Sequence, residues 1–301
     1  VDGGWLCDKG RFAYSHLQAQ DRMVDPLRKA APRYDELSWD EALDEAESLI
    51  RGAEGRIVTA LSGSETVELA YALGKLLRQG VGAHSALLPE PVDHSYDAYR
   101  APLSTIRDAD LVVVLGDEPV AERAPIVDLW IREARRNGAE IVRQSEGDSE
   151  LEGRLREAER AVLVVSGGDG AQLAAAGGLE RDGCAAFHLR QTANGRGVAD
   201  AWAAAADAEA VNPEPIGLLI VSGDEAAANP AVRAMAELAE KVIAIGMFRR
   251  LVTPWADLIL PGTSYLERDG TYVNLEGRLQ RIRRAAIPPA PDEIAVLARL
   301  A

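Results

Sequence analysis

The chain has 301 residues, 47% of them hydrophobic and 27% charged, with a formal net charge of −15. That length can bury a large core and suits two lobes, while the negative charge argues against nucleic acid and against an anionic membrane surface as partners. No apolar run approaches the roughly 18–20 residues of a membrane span, so a soluble chain without direct membrane insertion is expected, and two cysteines, Cys7 and Cys184, are too few for a disulfide scaffold.

Taken in chain order, residues 1–37 read as irregular and mixed in charge. "LSWDEALDEAESLI" opens with a capping box, Ser38 at the N-cap and Glu41 three residues on, ahead of apolar residues at helical spacing. Strand and helix signals then alternate. "RIVTAL" predicts a strand, residues 65–79 a helix with Ser64 as its cap, and "HSALLP" another strand. "DLVVVLG" is the continuous apolar run of a parallel strand covered on both faces. A helix over 125–137 and the strand "AEIVR" follow. The acidic stretch 144–159 is the best boundary, and beyond it the alternation restarts: "AVLVVSGG", a short helix over 171–176, "CAAFHL", an Ala-rich helix over 197–206, "GLLIVSG", a helix over 230–241, "VIAIG" and "ADLILPG". Such order predicts an α/β protein with two doubly wound, mostly parallel-sheet lobes. The expected division is an N-terminal segment 1–37, a first lobe 38–144, a connector 145–159 and a second lobe 160–301, with interleaving of the lobes left open.

Two segments share one plan. "DLVVVLGDEPVAERAPIVDLWI" and "GLLIVSGDEAAANPAVRAMAEL" each run strand, Gly-Asp-Glu, short loop, then Pro at a helix start. Their strand ends, Gly116-Asp117-Glu118 and Gly223-Asp224-Glu225, are expected to face a shared cleft, where open α/β sheets bind ligands. A nucleotide pyrophosphate there needs backbone N–H groups from a Gly-rich loop, often with a Lys or Arg, and the chain has neither a G-x-G-x-x-G nor a G-x-x-x-x-G-K-[ST]. One carboxylate about 5 Å from a phosphate costs roughly 3 kcal/mol at an effective dielectric near 20. If these acids point inward, a large anion is disfavoured.

Other constellations are sparse. His16, His84, His94 and His188 lack metal-ligand spacing, and "SGSET" has no His-Asp partner that would make it a nucleophile loop. Cys7 has Lys9 and Arg11 close by, which favours the thiolate that ligates metal, whereas Cys184 lies in an Ala-rich strand and reads as a small buried hydrophobe. The segment 260–281, "LPGTSYLERDGTYVNLEGRLQR", places two turns and a short hairpin directly after an apolar strand, which is how a chain shapes a site.

"WLCDKGRFAY", "DPLRKAAPRYDELSWDEALDEA", "ADLVVVLGDEPVAERAPIVDLWIREARRNGAEIV" and "ADLILPGTSYLERDGTYVNLEGRLQR" together resemble the molybdopterin oxidoreductase superfamily, and within it the branch formed by the large iron–sulfur subunit of bacterial respiratory complex I. The resemblance is weakest over 145–200. It implies two lobes of the molybdopterin oxidoreductase type, whose molybdenum members hold a pair of pterin–guanine dinucleotides in a cleft lined by the turns after the last strand. Glu267, Asp269, Gly270, Asn274, Glu276, Gly277, Arg278 and Gln280 match the family pattern there. Residues 90–102, where a metal ligand would be expected, contain no Cys, leaving Ser95 or an Asp as the alternatives.

Complex I members are thought to keep the fold without molybdenum, so 260–281 and the twin acidic loops are expected to form a vestigial cleft with no molybdenum and no catalytic residue. Cys7 matches one ligand of a 4Fe-4S cluster whose other cysteines lie upstream of Val1. A chain starting at Val1 is expected to be a piece of a longer polypeptide, part of the NADH:quinone electron-transfer machinery on the cytoplasmic side of the bacterial inner membrane. Its implied partners are the other subunits of the complex I peripheral arm. The alternatives are a fragment of a molybdenum enzyme, formate dehydrogenase-like or nitrate reductase-like, and an α/β module binding a small regulatory ligand.

Overall fold

The computed structural model describes residues 11–90, 92–167, 170–207, 209 and 212–301. Thirteen strands are placed among them: β1 (Leu27–Ala30), β2 (Arg33–Glu36), β3 (Ile57–Leu61), β4 (Ser85–Leu87), β5 (Leu111–Leu115), β6 (Glu140–Gln144), β7 (Ala161–Val165), β8 (Ala185–His188), β9 (Leu218–Ser222), β10 (Lys241–Gly246), β11 (Leu258–Pro261), β12 (Gly270–Val273) and β13 (Leu279–Ile282). They fall into two compact units. The first comprises, among described residues, 11–13, 93–191 and 273–278; the second comprises 14–92, 192–272 and 279–301.

In the first unit β6-β5-β7-β8 make a four-stranded parallel sheet. All five residues of β5 and of β7 are buried, because helices cover both faces. Leu111, Val113 and Leu115 pack with Leu151, Leu155 and Leu173, while Val112 and Val114 meet Val127, Trp130 and Ile131 on the other side. Each such side chain removed from water contributes about 2 kcal/mol. In the second unit the order is β2-β1-β11-β10-β9-β3-β4, parallel from β11 to β4. Ile57 and Leu61 of β3 face the helices 39–52, 67–74 and 195–204; Val58 and Ala60 face Ala226, Ala227, Val232 and Ala236. The expected α/β architecture with mostly parallel sheets is what the chain forms.

Local readings hold in part. The capping box of Ser38 and Glu41 forms as expected at the helix Trp39–Gly52. The next helix starts at Val67, not residue 65, and its cap is Thr66, whose hydroxyl accepts the Leu69 N–H, rather than Ser64. Residues 27–36, expected to be irregular, form the antiparallel pair β1–β2 and extend the second unit's sheet beside β11. Tyr34 pins that edge, its hydroxyl lying 2.6 Å from both the Thr253 and the Ala256 carbonyl oxygens with one proton to share between them. The expected connector 145–159 is instead largely a helix, Ser149–Glu157, capped by Asp148 and burying Leu151 and Leu155 under the first unit's sheet. A cut there would divide β5 and β6 from β7, which pairs with β5. Each compact unit takes residues from both sides of that stretch. No helix of the described residues is long and apolar enough to cross a membrane.

The repeated Gly-Asp-Glu plan is structural. Gly116 and Gly223 both sit at positive φ, +107° and +90°. Each donates its N–H to the neighbouring strand, to Gln144 of β6 and to Ile245 of β10. Each is followed by a short helix and then by one with Pro at its first position, Pro125–Arg136 and Pro230–Leu238. Left-handed glycine is needed at Gly116, where a Cβ would lie 2.2 Å from the Gly167 carbonyl oxygen. The acids diverge. Asp224 turns back to accept the Met247 and Phe248 N–H groups at 3.0 and 3.3 Å. Burial outweighs those bonds and pushes its carboxyl up to about 6, with the neighbouring Glu225 charge adding to the rise. The folded state therefore holds this proton more tightly than the unfolded chain does. The associated stability is complete below about pH 4 and is lost as pH rises through about 6. Asp224→Asn keeps an acceptor oxygen without the charge. In urea unfolding, the variant is expected to match the parent near pH 4 and to exceed it by about 2 kcal/mol at pH 7.5.

Candidate functional site at the carboxyl ends of the strands

Open α/β sheets bind ligands beyond the carboxyl ends of their strands, where the strand order reverses. In the second unit that point lies between β3 and β9. A phosphate placed there would need the N–H groups of the loop after β3. Those of Ser62 and Gly63 donate instead to the two carboxylate oxygens of Glu65, each at 2.9 Å, and Glu65 is only 1% exposed. The same solution recurs along the edge. After β10, Asp224 takes Met247 and Phe248. After β11, Glu293 takes the Thr263 N–H at 2.7 Å and its hydroxyl at 2.5 Å, and Glu267 takes the Ser264 N–H at 2.9 Å. These last two carboxylates have cationic partners of their own: Arg22 pairs with Glu267 and Arg268 with Glu293.

The loop after β11 fills the space in front of β3. Arg268 donates to the carbonyls of Thr263 and Ser64. The Tyr272 hydroxyl donates to the Ser64 carbonyl at 2.6 Å, and burial pushes Tyr272 up to about 12. The Ser64 hydroxyl donates to Glu225 at 3.1 Å, and Ser62 occupies the position a Cβ on Gly223 would need. Gly270 passes so close to Thr66 that a Cβ would lie 2.5 Å from it. Asp269 points outward to Arg284, which holds its carboxyl below the usual range. Glu267, Asp269 and Gly270 thus belong to a turn held by its own side chains.

In the first unit the reversal lies between β5 and β7. A cavity of about 580 Å³ opens there, lined by Gly116, Asp117, Glu118, Ser145, Glu146, Gly147 and Gly167. Glu118 is held by both sides of the Arg123 guanidinium, and its own N–H donates to the Ser166 carbonyl. Residues 273–278 also belong to this unit. Asn274 Oδ1 accepts the N–H groups of Glu276 and Arg278, Glu276 accepts the Leu103 N–H at 2.7 Å, and Arg278 pairs with Glu276 at 3.0 Å. Gly277 has φ +74°, with the Arg100 guanidinium 2.6 Å from where a Cβ would stand.

The charge reading therefore needs correction. It assumed four inward-facing carboxylates, but Asp224 caps a strand end, Glu225 takes a hydroxyl and Glu118 is neutralised by Arg123; of the four, Asp117 and Glu118 line the cavity. At the second unit's edge the backbone donors of Ser62, Gly63, Thr263 and Ser264 are taken by side-chain carboxylates. Glu65, Glu293 and Arg22 were not singled out in the sequence. A Glu just past the end of an apolar strand, inside "SGSET", is the signal that marks Glu65. Ser95 donates to Asp93, and the Cys184 sulfur accepts the Ala161 N–H in a buried site, as a small core residue would. His188 lies against the Tyr96 ring at 5.2 Å. Among the described residues no group of His, Cys, Asp and Glu could hold a metal ion, and Cys7 lies outside them.

Comparison with known proteins gives this geometry a family. The family model for molybdopterin oxidoreductase matches residues 22–148 and 177–293. A NADH-quinone oxidoreductase subunit of Rickettsia bellii is 24% identical over 348 aligned residues, covering 100% of this chain and 49% of that protein. The mitochondrial NADH-ubiquinone oxidoreductase 78 kDa subunit of Neurospora crassa is 25% identical, covering 95% and 44%. The corresponding NADH-quinone oxidoreductase subunit of Streptomyces coelicolor reaches 40% identity, over 26% of this chain and 9% of its own length. The chain spans half or less of each of these relatives. Among solved structures, acetylene hydratase from Pelobacter acetylenicus superposes with a TM-score of 0.57 at 12% identity, covering 98% of this chain and 63% of that one, which speaks for the fold alone. The chain belongs to the molybdopterin oxidoreductase family.

Proposed function

We propose that the chain is the molybdopterin oxidoreductase-like part of a complex I subunit, a scaffold that supports electron transfer from NADH to quinone and holds no molybdenum cofactor itself. The relatives named as subunits of NADH-quinone and NADH-ubiquinone oxidoreductase support the assembly. The loss of the cofactor is supported by one observation above the others: the N–H groups of Ser62 and Gly63, where a pyrophosphate would bind, are taken by Glu65. Seating a phosphate would displace two charge-assisted hydrogen bonds, worth about 1.5–3 kcal/mol each, and leave a buried carboxylate facing a second anion. The residues of this edge do not fit the dinucleotide, and no chemical step is assigned to it. In this reading the other subunits of the peripheral arm are the partners, and the chain sits on the cytoplasmic side of the bacterial inner membrane.

Cys7, with Lys9 and Arg11 beside it in sequence, supplies one thiolate to a 4Fe-4S cluster in the longer subunit.

Two measurements on the purified full-length protein test the reading. Molybdenum and guanine nucleotide are expected well below one per chain, and stoichiometric amounts of both would restore the molybdenum-enzyme alternative. Cys7→Ser is expected to abolish one iron–sulfur signal in electron paramagnetic resonance while the others persist; an unchanged spectrum removes Cys7 from the ligand set.

A further inference from the structure

The segment leaving the hairpin differs in charge from the rest of the chain. Residues 278–284, "RLQRIRR", carry four arginines and no acid in a protein of net charge −15. Arg284 is held by Asp269 at 2.9 Å. Arg281 and Arg283 are exposed and have no carboxylate in ion-pair contact among the described residues. Two apolar side chains accompany them outward, Leu279 at 72% exposure and Ile287 at 91%. The backbone beneath is fixed. Arg284 donates its N–H to Asp269, and Ala285 and Ala286 donate theirs to the Leu266 carbonyl at 2.7 and 3.0 Å. Pro288 and Pro289 then stiffen the chain after Ile287.

We propose that the arm Leu279–Ile287 is a docking surface for an acidic, partly apolar segment of a partner protein. Arginines on an edge strand can serve only to prevent strand-to-strand aggregation. Leaving Leu279 and Ile287 bare beside them works against that purpose, and arginine is among the residues that protein interfaces enrich. At physiological ionic strength charges act over about 8 Å. A short acidic segment on the arm therefore feels the arginines, whereas a nucleic acid duplex or an anionic bilayer extends over the acidic body. Neither of those offers a complement to the two aliphatic side chains. The proposal names a surface that the functional reading leaves unspecified and does not depend on that reading.

The test is photo-crosslinking in the native host, with p-benzoylphenylalanine replacing Gln280 in the full-length protein and mass spectrometry of the cross-linked peptides. The expected product joins the arm to an acidic stretch of a different protein. It falls at least fivefold in Arg281→Glu/Arg283→Glu and in Leu279→Ser, and returns when the facing acids are changed to lysine in the charge-reversed background. Both arginines are exposed and in no ion pair among the described residues, so the thermal midpoint of the double variant should stay within about 2 °C of the parent. Cross-links to lipid, to nucleic acid or to a second copy of the chain overturn the proposal, as do products indifferent to charge reversal and the absence of any product. A partner outside NADH-quinone oxidoreductase supports the arm and counts against the functional reading, so the two can fail separately.

Discussion

A buried carboxylate that accepts backbone N–H groups just past the end of a parallel strand is the interaction on which the second unit depends. Parallel strands end with N–H groups pointing into the loops, and those groups must find an acceptor. In ligand-binding α/β proteins a phosphate often provides it. Here buried Glu65, Glu267 and Glu293 do so after β3 and β11, and half-buried Asp224 does so after β10. An unpaired donor in this setting costs about 1–3 kcal/mol, so a chain without the anion needs such acceptors to keep its sheet edge folded. Arg22 and Arg268 then offset the charge that two of them bring inside.

The two units share a plan but use it differently. Both place a left-handed glycine after a central strand and link it to the next strand through the same N–H bond. In the second unit the loop after β11 folds over the β3 end, with Arg268 and Tyr272 on the Ser64 carbonyl. In the first, space remains beside Asp117, Glu118 and Glu146. The two edges share this turn, and local side chains decide whether the edge is closed.

The strands were legible because β3, β5, β7 and β9 are apolar almost without interruption, which only two covered faces allow. The repeated Gly-Asp-Glu was legible because each copy follows an apolar strand and precedes a Pro at a helix start. The β1–β2 pair was not, since "PLRKAAPRYDEL" has little periodicity and becomes sheet through β11 and Tyr34. Nor was the membership of β7, because pairing with β5 is a long-range choice that alternation in sequence does not specify. At the site, residue identities were readable but directions were not. Asp224 and Glu118 look alike in sequence, yet one faces a backbone turn and the other an arginine. Glu293 became visible only once its helix was brought to the strand end after β11, whereas Glu65 bonds residues two and three positions before it and has a local signal.

The turn after β11 and the hairpin beyond it are held by their own residues. Asn274, Glu276, Gly277 and Arg278 organise one another's backbone, and Glu267 anchors Ser264 and Arg22. The most direct measurement is an amide-resolved NMR titration of the chain with guanosine diphosphate, the portion of the pterin dinucleotide that would meet these loops. The amides of Ser62, Gly63, Met247 and Ser264 are expected to stay unmoved into the millimolar range, their acceptors being in place already. Saturable shifts at those four amides would contradict this expectation.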